Sequence, residues 1–211
     1  SAYLAQEYVA AEALDITVRD HGPVAASEAL RIAVQLASGL DFGALAGIAH
    51  GALHPRDVML SSDEARLTGI GIARALEQVD IVFPMRRPYT APERMAASSW
   101  DRRADIFGLA AVTHEMLWGR RITAIGAQAA EALTRLPGSD PDRLRHVFGR
   151  ALAEDPLARY ETALEFAQEL RHAFPDVAIG SRQSTVDSRQ SPVPGRESTV
   201  DSRRPAAIGR Q

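Results

Sequence analysis

Residues 104–119, ADIFGLAAVTHEMLWG, constrain the fold more than any other stretch of this chain. The run is apolar on most sides and is interrupted by Asp105, His114 and Glu115. It falls short of the roughly 18 consecutive apolar residues that a membrane span needs. A helix that is apolar nearly all round belongs in the middle of a lobe. Other segments carry the stripes expected of helices that would cover it. Leu30, Ala33, Val34, Ala37 and Leu40 fall on one face of a long helix expected over 23–40. Leu144, Val147, Phe148, Ala151 and Leu152 form the second stripe, and Ala163, Leu164, Ala167 and Leu170 the third. Thr162 with Glu165 is a capping-box signature ahead of that last helix.

With 211 residues and 45% hydrophobic content, the chain can bury one sizeable core, with room for an appendage. It has no cysteine, which excludes disulfides and thiol chemistry. A net charge of -3 gives no argument for nucleic acid or for a membrane surface. All 24 basic residues are arginine, so no lysine is present to grip a phosphate. The chain opens Ser-Ala-Tyr-Leu without a signal-peptide pattern, and we expect it to be a piece of a longer protein. From 179 to 211 the composition turns to Ser, Arg, Gln and Pro, and Ser-Thr-Val-Asp-Ser-Arg occurs at Ser184 and again at Ser198. Such a stretch buries too little surface to offset its ordering entropy and is expected to be a flexible tail.

Between the apolar helices lies IAHGALHPRDVMLSSDEARLTGIGIA, residues 48–73. It reads as a loop, a short strand at Val58, Met59 and Leu60, a polar turn, a second strand over 65–68, and a Gly-rich exit. The spacing resembles the catalytic and metal-binding loops of the bacterial eukaryotic-like serine/threonine protein kinases, His-Arg-Asp-Leu-Lys-Pro-Glu-Asn followed by Asp-Phe-Gly. Later motifs keep the family's order. Ala91-Pro92-Glu93 matches Ala-Pro-Glu, Asp105, Phe107 and Leu109 match Asp-x-aromatic-x-Leu, and Asp155-Pro156 with Arg159-Tyr160 matches Asp-Pro-x-x-Arg-Tyr. The resemblance implies a mainly α fold, the carboxy-terminal lobe of a kinase over 1–178 with short β-hairpins, the amino-terminal lobe being absent from this chain. Residues 1–9 would be a strand and hinge, 74–93 an activation segment, 101–120 the central helix and 142–174 the last helices.

The resemblance also implies roles, and at the chemical positions it implies losses. The position of the catalytic aspartate holds Ala52, that of the phosphate-contacting lysine His54, that of the metal-holding asparagine Asp57, and that of the Asp-Phe-Gly aspartate Gly69. Neither alanine nor glycine carries a side-chain oxygen. The threonine of Gly-Thr-Pro is also missing, because Met85, Arg86 and Arg87 stand there, and no Ser or Thr lies between Gly69 and Tyr89 to accept a phosphate. Packing positions survive in His50, Ile70, Glu93, Asp105 and Arg159. The resemblance gives Glu93 to Arg159 as an ion pair and Asp105 as acceptor of backbone hydrogen bonds from the catalytic loop.

Packing retained with chemistry lost is what a pseudokinase resembles: a regulatory module that binds a protein partner, expected in the cytoplasm, with a membrane anchor elsewhere in the full protein as an option. No cofactor is expected; ATP and Mg²⁺ belong to the alternative, an enzyme with a rearranged phosphotransfer site, and a purely structural domain is the third reading. By the resemblance the backbone at Glu7 and Val9 and the side chain of Met59 would touch an adenine; a strand and a core methionine without a ligand fit the same residues equally well. His50, His54 and Asp57 are not expected to hold a metal, since Gly51 and Pro55 disfavour the helix that would align them. His54 reads as solvated, and Arg86 with Arg87 as an exposed pair.

Overall fold

A computed structural model describes residues 8–81 and 84–178, which lie within one packed unit, Ser1–Gly180. The expected tail at 179–211 and most of the expected strand at 1–9, Glu7 included, fall outside the described residues.

Helix α5, Arg103–Trp118, is the axis, and every residue from Ala104 to His114 is buried. It is two residues shorter at each end than expected, because Gly119 adopts φ 65° there and its N–H bonds back to Glu115 O at 2.8 Å. A Cβ on Gly119 would stand 2.9 Å from Pro23 Cγ, so this glycine also lets the chain ahead of α2 press against the end of α5. Helix α2 runs Ala26–Leu45, starting three residues later and ending five residues later than the expected 23–40. Glycine is disfavoured in a helix interior, and α2 contains Gly39 and Gly43. Gly43 instead marks a close approach: a Cβ there would lie 2.9 Å from Ile48 O. Packing outweighs a propensity cost of about 1 kcal/mol per glycine.

The first strand, β1, is Glu12–Ala13. Its backbone pairs antiparallel with β2, Val58–Leu60, at Glu12 with Leu60 and Ala13 with Met59, and only then does α1, Leu14–His21, begin. Strand β3, Ala65–Leu67, completes a three-stranded sheet ordered β1-β2-β3. Beyond it come α3, Ile72–Glu77, α4, Pro92–Met95, and α6, Gly126–Glu131. Neither α3 nor α6 was expected: each spans six residues, too few for a periodic stripe to show.

The carboxy-terminal helices are α7, Pro141–Ala151, and α8, Ala163–His172. Asp140 caps α7 by accepting from Asp142 N and Arg143 N. At α8 the Thr162 hydroxyl accepts from Glu165 N at 3.1 Å, but the Glu165 carboxylate takes the N–H of Glu161 rather than that of Thr162. The carboxylate of Asp41, on α2, supplies a second cap, accepting from Ala163 N and Leu164 N at 2.9 Å each. Among the described residues no helix is long and apolar enough to cross a membrane.

Candidate functional site

The loop from His50 to Asp57 is held from below by α5. Asp105 is fully buried and accepts from His50 N at 2.8 Å and Gly51 N at 2.6 Å. Burial pushes its carboxyl above the usual range, while the His50 charge and these two donors pull the other way. The His50 ring is buried and its Nε2 lies 3.0 Å from Thr68 O, at the end of β3. Leu53 lies against Gly108 of α5, where a Cβ would come within 3.1 Å of its own. Ile70 reaches Gly43 of α2, and Gly71 N bonds to Ala49 O at 3.2 Å. The loop, the end of α2 and the Gly-rich exit are thereby one assembly.

Within that frame Ala52 is buried and presents only a methyl group. His54 is half-buried rather than fully solvated. Its ring meets Tyr89 edge-on with centroids 4.6 Å apart, and its Nδ1 accepts from Arg56 N at 3.0 Å, capping the turn Pro55–Asp57. Burial first, and then the charge of Arg86, pull its pKa down to about 4, so it is neutral at pH 7. Gly69 has φ 82°, a left-handed backbone that disfavours most side-chain-bearing residues by about 1 kcal/mol or more.

Arg86 corrects the sequence reading of an exposed pair. Its Nη1 donates to both carboxylate oxygens of Asp57, at 2.9 and 3.1 Å. The turn that delivers it is built locally: Thr90 Oγ1 accepts from Arg86 N at 2.9 Å, and Arg86 O accepts from Tyr89 N and Thr90 N. An arginine at the position where the resemblance places the missing threonine thus contacts the loop at 50–57, through charge. His50 Nε2 lies 3.9 Å from the same carboxylate. These residues do not fit a metal ion: Asp57 already holds a cation, and among the described residues no group of three His, Cys, Asp or Glu side chains could bind one. Met59 is half-buried on β2 opposite Ala13 and Arg66, and Val9 is half-buried outside any regular element.

Glu93 and Arg159 form a separate, structural constellation. Arg159 Nη1 and Nη2 donate to Glu93 Oε1 and Oε2, both at 2.8 Å. The same guanidinium donates to the carbonyls of Ala153, Arg103 and Glu154. Its buried charge is therefore matched by a fork geometry and three further acceptors.

Sequence reasoning missed three contributors. Trp100 covers Gly51, at the position of the family's catalytic-loop arginine, so closely that a Cβ there would lie 2.5 Å from the ring. Arg94 and Glu77 flank that ring. No motif marks these three; the visible signal was Gly51 itself, a glycine where the pattern has a large side chain.

The sequence model of the protein kinase domain family matches residues 1–154. The serine/threonine-protein kinase PknH of Mycobacterium tuberculosis is 29% identical to this chain over 217 residues, covering 91% of it and 34% of PknH. The serine/threonine-protein kinase PrkC of Bacillus subtilis is 26% identical over 199 residues, covering 87% of this chain and 31% of PrkC. The chain thus spans about a third of the length of these curated relatives. Among solved structures, the PknI kinase domain of Mycobacterium tuberculosis is similar at a TM-score of 0.60 with 26% identity, covering 79% of this chain and 63% of that one.

Proposed function

This chain belongs to the protein kinase domain family, among its bacterial serine/threonine members, and from that premise we propose that it is a pseudokinase that acts by binding a protein partner. The observation that carries this reading is the ion pair between Arg86 and Asp57. A working kinase uses an aspartate to take the substrate's proton and two further side chains to hold Mg²⁺ on the phosphates. Here Ala52 and Gly69 offer no oxygen, and the one carboxylate at these positions is neutralised by the chain's own arginine. Loss of a general base alone forfeits about 10² to 10⁴ in rate. The retained scaffold, Asp105 under the loop and Arg159 on Glu93, supports a role that needs the shape of the fold rather than its chemistry.

In the same reading the chain carries the carboxy-terminal lobe of the fold, with the amino-terminal lobe outside these residues. Two observations favour it: the only sheet among the described residues has strands of two or three residues, and the chain covers 63% of the solved PknI kinase domain.

Thermal unfolding of the full-length protein with millimolar ATP, with and without Mg²⁺, tests the proposal. A ligand at ~100 times its dissociation constant stabilises its target by ~2.7 kcal/mol, which is several degrees for a domain of this size. The expected result is a melting temperature that Mg²⁺ does not move, together with no radiolabel transferred from ATP to a protein substrate. A metal-dependent rise accompanied by transfer would overturn the proposal and establish an enzyme with a rearranged site.

A further inference from the structure

The activation segment, residues 74–93, contains a carboxylate whose surroundings are unusual for its position. Glu77 ends α3, where a negative charge opposes the helix dipole and so gains nothing locally. A six-residue helix with Ala73 as its sole buried residue also cannot sustain itself. What α3 has instead is a set of donors around Glu77, two brought from outside the helix and one, Arg74, from its own preceding turn. Arg94 Nη1, on α4, donates to Glu77 Oε1. Trp100 Nε1 donates to Glu77 Oε2 at 3.2 Å, and Arg74 Nη1 lies 3.9 Å from that oxygen. The two guanidinium groups also lie over the Trp100 ring, with Arg94 Cζ 4.1 Å and Arg74 Cζ 4.4 Å from its centroid.

Arg94 is the anchor of this cluster. It is 3% exposed, its Nε has no hydrogen-bond partner, and Glu77 is its ion-pair partner among the described residues. Its charge also acts on Asp105, the carboxylate beneath the catalytic loop. A buried cation of this kind needs an anion beside it, and the segment supplies one in its own sequence. The Trp100 ring meanwhile occupies the space over Gly51, so the cluster joins α3 to the loop at 50–57.

We infer that Glu77 is a built-in latch: a fixed anion that holds α3, the first part of the activation segment, against Arg94 and Trp100, so that α3 is held in place without phosphorylation. The sequence agrees, since no Ser or Thr lies between Gly69 and Tyr89, and Tyr89 itself is 2% exposed with its hydroxyl on Glu115. The inference rests on the identity of the segment and stands whether or not phosphotransfer survives.

Hydrogen–deuterium exchange on the full chain tests it, comparing the native protein with Glu77→Gln and Trp100→Phe. The amides of Ala75 and of residues 78–81, bonded within and just after α3, report on the segment, and α7 and α8 serve as internal controls. Glu77→Gln is expected to speed exchange at the α3 amides by about tenfold or more and to leave α7 and α8 within about twofold. Trp100→Phe keeps Glu77 but removes the indole donor and part of the ring that packs over Gly51 and under the two guanidinium groups, and is expected to produce a smaller rise at the same amides; it reads the latch from the Trp100 side if Glu77→Gln fails to fold. Phosphatase treatment of the native protein is expected to change nothing. Unchanged exchange at α3 in the variants, an equal rise across α7 and α8, or a rise at α3 after phosphatase treatment would each overturn the inference.

Discussion

Arg159 shows how much one side chain can carry when its charge is matched on every side. It is inaccessible to solvent, yet it makes five hydrogen bonds, two of them to Glu93. Removing one partner of such a pair leaves an uncompensated charge and costs about 3 to 5 kcal/mol. Arg159→Ala and Glu93→Gln should therefore each lower the unfolding free energy measured in urea by that amount, with an unchanged slope. Asp142→Ala, which breaks an exposed i,i+3 pair with Arg145, should shift it by less than about 0.5 kcal/mol. The first pair was legible in sequence because each partner sits in a recognisable motif. Arg86 was not legible. Its partner depends on how residues 86–90 turn back on themselves, and a sequence of two arginines followed by Pro88 says nothing of that turn. His54 was misread for the same reason, since Tyr89 reaches it only through the folded segment.

At the scale of elements, the contact between the loop at 50–57 and the loop ahead of α5 is a matched pair of sizes. Gly51 has φ 73° and no room for a Cβ, and Trp100 fills the space it leaves. Gly51→Ala should cost about 2 to 5 kcal/mol, from left-handed strain of about 1 to 2 and overpacking of about 1 to 3. Adding Trp100→Ala to that variant should recover the overpacking share, so a double-mutant cycle measured by urea unfolding should be less than additive by about 1 to 3 kcal/mol. An additive cycle would show that the ring moves aside at no cost. The helices differ in how readable they were. α5 and the stripes of α7 and α8 follow from hydrophobic spacing alone, whereas α3 and α6 are short and held by their neighbours. The far end of α2 lies beyond the stripe that ends at Leu40, and the close approach of Ile48 to Gly43 there is not visible in sequence spacing.

For the molecule as a whole, acid stability follows from its buried histidines. His114 lies inside α5, stacked on Trp118 with ring centroids 4.7 Å apart, and its Nδ1 is 2.9 Å from Arg120 O. Burial lowers its pKa to about 4, against 6.5 for an unperturbed histidine. The unfolded chain therefore takes up this proton first as pH falls, so the contribution is complete above pH 6.5 and lost on the way to 4. Between pH 7 and 5 it amounts to about 2 kcal/mol. His54 adds a smaller share in the same direction because it is half-exposed, and Asp105, with its raised pKa, offsets part of the loss. Melting temperatures at pH 7 and 5 should show His114→Gln losing less than the native protein; equal losses would place the acid sensitivity elsewhere. The overall architecture was legible from one helix apolar all round and three striped ones, but not the long-range ties that close it. One of these ties sets a timetable. The carboxylate that caps α8 stands on α2, 122 residues earlier in the chain. At a synthesis rate of about 5 to 20 residues per second, α2 waits roughly 6 to 24 seconds on the ribosome before the helix it caps exists. During that interval its apolar face is uncovered where α8 will lie, and nascent-chain chaperones have their longest opportunity there.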